Sequence, residues 1–105
     1  MPVALIKPLS KISPHYDYFP SGKAKIYLEA NHSVDVMIVG SHQETQVISL
    51  QEAQRLGILT LPNITKLDNQ IFNLPISWST MGWNLVIGNG SQTEPVDVYY
   101  QVYFG

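Results

Sequence analysis

The stretch that most constrains the fold is Met81–Phe104, MGWNLVIGNGSQTEPVDVYYQVYF. Trp83, Leu85 and Ile87 share one face of its first part, with Asn84, Val86 and Gly88 on the other. In its last part Val96, Val98, Tyr100, Val102 and Phe104 share a face, opposite Asp97, Tyr99, Gln101 and Tyr103. Period-two alternation of this kind belongs to strands that bury one face. Gly88–Pro95 collects residues that tolerate positive φ or fix a turn. The stretch therefore predicts a β-hairpin with a longish loop, and it holds no catalytic motif.

The rest of the chain continues the pattern. Val3–Ile6 is a short apolar run ended by Lys7-Pro8, suited to an edge strand. Ser13-Pro14 marks a turn, and His15–Phe19 alternates again. Lys23–Ala30 predicts a strand with Ala24, Ile26, Leu28 and Ala30 facing in. Asn31-His32 reads as a tight connection to a second strand, Ser33–Gly40, apolar on nearly both faces and so more central. Ser41–Glu44 is a polar break. Ser49 and Glu52 form a capping box, and Leu50, Ala53 and Leu56 keep helical spacing up to Gly57. A helix over Ser49–Leu56 is two turns, too short to stand alone, so it must pack on the sheet edge or cap one end. Ile58–Leu61 and Gln70–Leu74 predict two short strands, and Ile76–Thr80 leads into the hairpin. Trp83 is expected in the core and Trp78 nearer the surface.

Seven to eight short strands, one short helix and no linker or repeat predict a single domain over 1–105. Its class is an all-β antiparallel β-sandwich, jelly-roll or immunoglobulin-like. The Cys…Trp…Cys pattern of antibody domains is missing, because the chain has no cysteine. That also excludes disulfides and thiolate metal sites. Charged residues are 13% of the chain and the formal net charge is -2, with no Lys/Arg cluster. Nucleic-acid binding, which needs a basic footprint, is not expected. No segment reaches the ~20 apolar residues of a membrane span, so no membrane insertion is expected. The start at Met1 reads as cytoplasmic, or as secreted if a leader has been removed.

Several segments together resemble a known group. Phe19–Lys23 (FPSGK), SVDVMIV at 33–39, WNLVIGN at 83–89 and VDVYYQVYF at 96–104 resemble small jelly-roll sandwiches. These are the bacterial pre-peptidase C-terminal domains and the Golgi-dynamics (GOLD) domains. The likeness spans about residues 16 to 104 and lies in core and turn positions. It implies a jelly-roll sandwich and a non-catalytic accessory role, binding polymers, lipids or other proteins. This chain departs from those domains in standing without a protease, transmembrane segment or coiled coil.

Weighed for chemistry, the polar residues predict no enzyme and no cofactor. His15, His32 and His42 could form a metal site with Asp17 or Asp35, but they lack paired zinc-ligand spacing. His32 and His42 flank a strand of about 25 Å. Asp68, Asn69 and Asn73 could donate to calcium, without the EF-hand glycine and glutamate. No serine sits in a Gly-x-Ser-x-Gly elbow, and Asp17, Glu29, Asp35 and Asp97 lie on separate strands. No metal or catalytic site is therefore assigned. The sequons at Asn31, Asn63 and Asn89 matter only in a secreted eukaryotic protein.

The aromatic residues are more telling. Tyr27, Tyr99 and Tyr103 fall on outward faces, and Tyr16 or Tyr18 could join them. Exposed Met37 and Val39 would add an apolar patch. Such a surface suits self-association into a homo-oligomer, binding of another protein, or sugar stacking in a carbohydrate-binding module. The expected binding residues are Tyr27, Tyr99, Tyr103 and Met37.

Overall fold

One 18-residue strand, β4 (Lys23–Gly40), pairs with the three other long strands. The computed structural model describes residues 3–41, 50–55 and 58–104. Before β4 come β1 (Val3–Ile6), β2 (Lys11–Ile12) and β3 (His15–Tyr16). After it come the helix α1 (Leu50–Arg55), β5 (Leu59–Asn73), a 3-10 turn (Ile76–Trp78), β6 (Trp83–Gly88) and β7 (Val96–Phe104). These seven strands form one antiparallel, nearly closed sheet with one short helix, in agreement with the all-β class.

The sheet is best followed as four long lanes. β5 pairs with both halves of β4, from Lys23↔Asn73 to Ile38↔Leu59. β7 pairs with the first half of β4 (Ala24↔Phe104 to Ala30↔Val98), and β6 with the second half (Asp35↔Gly88 to Gly40↔Trp83). Because β4 residues in both halves also pair with β5, β6 and β7 must lie end to end on the opposite edge of β4. The fourth lane is the N-terminal segment: β1 pairs with β7, while β2 and β3 pair with β6.

This arrangement corrects three sequence expectations. The Met81–Phe104 stretch is not a hairpin, because β6 and β7 flank β4 instead of each other. Asn31-His32 is not a turn between two strands: a two-residue hairpin favours positive φ at its centre, and neither residue has it. Instead the β4–β5 pairing slips between Glu29 and Val34, so that extra β4 residues bulge and the strand bends. Ile58–Leu61 and Gln70–Leu74 belong to one strand, β5. Two further slips in the β4–β5 ladder coincide with Asn63 (φ 54) and Asn69 (φ 54). Asparagine tolerates this left-handed backbone better than most residues, and a bulge also accommodates Pro62.

The bend brings the inner faces of both halves onto one core. Ala24, Ile26, Leu28, Val34, Val36 and Ile38 from β4 meet Leu85, Ile87, Val96, Val98 and Tyr100, with Leu67 and Phe72 from β5. The faces assigned by alternation hold in β4, in β6 and in β7 as far as Tyr103. Both tryptophans are buried, so Trp78 is a core residue and not the surface one expected. Where the β6–β7 lane breaks, buried Asn89 stitches the loop. Its Nδ2 donates to Ile6 O (3.0 Å) and Glu94 O (2.8 Å), and its Oδ1 accepts from Ser91 N (3.0 Å).

On the outer face of the second half, Met37, Val39 and Val86 pack under Ala53 of α1 and Ile58. The expected helix cap at Ser49, with Leu56 and Gly57, lies outside the described residues. Its body is present, and it covers a sheet face instead of an edge. No helix among the described residues is long and apolar enough to cross a membrane.

Candidate functional site

A bent sheet has two outer faces, one per half, and only the second is covered by α1. Met37 is on that covered face and is 5% exposed, so it cannot serve as a surface contact. This overturns its assignment as a binding residue. Alternation places a side chain on a face but does not reveal what packs over it.

The first half's outer face is where the remaining candidates meet. Register sets Tyr27 opposite Gln101, Glu29 opposite Tyr99 and Lys25 opposite Tyr103. Directly opposed residues in antiparallel strands point to the same side, so Tyr27, Tyr99 and Tyr103 share one surface. The rings of Tyr27 and Tyr99 meet edge to face, 5.9 Å between centroids at 79°. This is a favoured arrangement for aromatic quadrupoles. Tyr103, 38% exposed, stands further along β7. An open depression lined by Tyr27, Glu29, Asn69, Tyr99 and Tyr103 lies among them.

Charged groups fix the centre of this face. The Tyr27 hydroxyl donates to Glu29 Oε1. Lys66 Nζ lies 3.8 Å from the same oxygen and 5.9 Å from the Tyr27 ring centroid. The hydrogen bond to Glu29, followed by desolvation, pushes the Tyr27 hydroxyl up to about 12. A raised value means the bond is intact below the ordinary value of 10.0 and is lost as pH rises through about 12. In Glu29→Gln the Tyr27 ring shifts, followed by NMR, should titrate nearer that ordinary value. A titration unchanged by the substitution would show that Glu29 does not hold the proton.

The same face carries apolar residues that alternation along the chain does not connect with it. Val3 lies opposite Tyr99 and Leu5 opposite Asp97, and they are 68% and 62% exposed. Ile71 lies opposite Lys25 on β5 and is 57% exposed. Their link to the tyrosines depends on which strands neighbour each other. The alternation in VALI signals only that two of its residues point outward.

The chain matches no family model, no curated protein and no solved structure. The functional reading therefore rests on the arrangement of its side chains.

The other candidates lie elsewhere. Tyr16 stacks on Trp83, with ring centroids 5.0 Å apart, and burial pushes its hydroxyl up to about 12. Tyr18 also packs against the core. Neither joins the outer face. His15 lies 3.9 Å from Asp17 and shares a network with Ser41 Oγ (2.9 Å) and Asn84 Oδ1 (3.2 Å). Asn84 Nδ2 in turn donates to Ser13 O (3.0 Å), tying β6 to the chain before β3. No sequence spacing signals this cluster, because its members come from three separate segments, 13–17, Ser41 and Asn84. His32 and Asp35 line a polar cavity at the bend with Asn63 and Glu94. One Asp35 oxygen there accepts from Asn63 N (3.0 Å). His42 lies outside the described residues. Among the described residues, no three His, Asp or Glu side chains converge as a metal site would require. Asn69, considered for calcium, is one of the two left-handed bulge residues.

Proposed function

We propose that the chain is a non-catalytic assembly module that associates with a second copy of itself. The contact is the uncovered outer face that carries Tyr27, Tyr99 and Tyr103. The observation behind this reading is the contrast between the two outer faces. The second half's face is closed by α1, whereas the first half's presents three tyrosines with Val3, Leu5 and Ile71. Large apolar side chains gathered on one exposed face mark contact surfaces more often than scattered ones do. Tyrosine adds apolar area at low entropic cost together with a polar tip. The resemblance to accessory sandwich domains is in keeping with a binding role.

The alternative is a carbohydrate-binding module on the same tyrosines. Glu29 and Asn69, beside the rings, supply polar atoms that could bond sugar hydroxyls. The edge-to-face pose of Tyr27 and Tyr99 favours a protein contact, since two rings at 79° do not form one flat stacking platform.

Tyr99→Ser combined with Tyr103→Ser should leave the circular dichroism spectrum unchanged and weaken assembly by at least about tenfold, read by sedimentation. That loss corresponds to about 1.4 kcal/mol of contact energy. An unchanged sedimentation profile would refute the role of these two residues. Specific glycan-array binding by the wild type, lost in the double variant, would establish the carbohydrate reading instead.

A further inference from the structure

The sheet has two edges, and they are built differently. Along β5, the ladder is broken by bulges at Asn63 and Asn69, with Pro62, Lys66 and Asp68 nearby. Bulges, proline and charge are the usual devices that stop an edge from recruiting another strand. The other edge, at β1, is four residues long and bounded in sequence by Pro2 and Lys7-Pro8, but Val3–Ile6 itself holds no bulge, proline or charge. Its sequence is VALI, uncharged and in regular register with β7. Among the described residues its far side pairs with no strand.

We propose that the second copy joins along this edge, β1 against β1 in antiparallel register. One sheet would then run across a two-fold axis. The inference rests on the proposed self-association and places its backbone contact at the β1 margin of the tyrosine-bearing face, where Val3 and Leu5 border the rings. Antiparallel pairing of a strand with its own copy is isologous, so the same groups are donated and accepted on both sides. Val3 and Leu5 point outward while Ile6 is buried in the core. An axis normal to the sheet keeps the outer faces together, so odd residues must meet odd residues. Two such registers keep Leu5 opposite described residues: Val3 meets the second copy's Leu5 with Ala4 on the axis, or Leu5 meets the second copy's Leu5. In both registers the exposed Val3 and Leu5 form an apolar seam. Tyr99, directly across from Val3, flanks that seam on each side, so the two tyrosine faces become one surface. No charged side chain within β1 opposes its own copy across the axis.

The chain has no cysteine, so a single introduced thiol can cross-link only between copies. Leu5→Cys should be captured as a dimer by a short bis-maleimide, which adds one thiol at each end, because opposed or diagonal cross-strand partners lie within about 8 Å. Ile71→Cys, exposed on the same face but on β5, should not be captured. Leu5→Lys places like charges at the seam twice by symmetry. It should weaken assembly at least tenfold in light scattering while the fold is kept, and Val3→Lys serves as a second variant at the same seam. A wild type that remains monomeric at every concentration overturns both this inference and the self-association on which it rests. An oligomer that survives Leu5→Lys and Val3→Lys, fails to cross-link at Leu5 and yet dissociates in the Tyr99/Tyr103 double variant overturns the edge pairing alone.

Discussion

Trp83→Ala is expected to destabilise the fold by about 3–5 kcal/mol, the range for emptying a buried aromatic site. Trp83 is fully buried, stacks on Tyr16 at 5.0 Å and receives Phe19 edge-on at 6.1 Å. It also joins three lanes, since its backbone is in register with both Tyr16 and Gly40. The cavity would thus open at the end of the second half, where β3, β6 and β4 meet. Trp83→Phe should be far milder, about 1 kcal/mol. The indole Nε1–H is buried without an acceptor among the described residues. An unpaired buried donor costs about 1–3 kcal/mol, and phenylalanine removes that cost while keeping most of the ring contact. Urea denaturation of the two variants separates these terms. Equal losses for alanine and phenylalanine would mean that ring packing is not what Trp83 provides.

Gly82→Ala should cost about 2–5 kcal/mol, although it adds only one methyl group. Gly82 has φ 77, and a Cβ built there would lie 2.4 Å from Tyr16 O. A left-handed backbone costs a non-glycine residue about 1–2 kcal/mol. Forcing atoms into a packed site adds about 1–3 kcal/mol more. The obstructing atom is a backbone carbonyl and cannot swing aside as a side chain would. Gly82 also receives Ser41 N (3.1 Å) and donates to Trp78 O (2.8 Å), so relief by local movement would break the joint between the 3-10 turn and β4. Thermal unfolding of Gly82→Ala beside Gly22→Ala is informative. Gly22, at φ 71, would place its Cβ 3.1 Å from the Tyr18 hydroxyl, the far end of a side chain that can yield. Gly82→Ala should therefore lose more stability, and equal losses would remove the steric part of the argument.

Face assignment was the part of the fold most legible in the sequence. Alternation marked Ile26, Leu28, Leu85, Ile87, Val96 and Val98 as inward, and each is fully buried. Long-range connection was less legible. Asn31-His32 looks like a turn because asparagine suits one, yet whether β4 stops or bends depends on β5 and on Asp97, whose N–H bonds Asn31 Oδ1 (2.9 Å). Likewise Gly88–Pro95 has the composition of a hairpin loop. The pairing of β6 and β7 with opposite halves of β4 is decided by packing across the bend. For the candidate site, alternation identified the three tyrosines as outward residues. Met37 was misplaced because its covering partners, Ala53 and Ile58, are distant in sequence. Val3, Leu5 and Ile71 were not connected to the tyrosines because only strand order makes them neighbours.

The four-lane layout also constrains the order in which the molecule can form. Loop-closure entropy favours pairing segments that are near in sequence, and distant pairings slow folding. β4 and β5 are consecutive strands, so their ribbon is the cheapest ladder to close first. β6 and β7 can then dock in turn along its open side. β1 comes last: its ladder runs from Val3↔Tyr99 to Ile6↔Val96, and its template does not exist until β7 is in place. Until that moment the unsatisfied backbone of β7 is open to any β1 segment, whether its own or a neighbour's. Exchange of β1 between chains is therefore the misassembly to which this topology is most exposed, and refolding at high protein concentration is where it would surface.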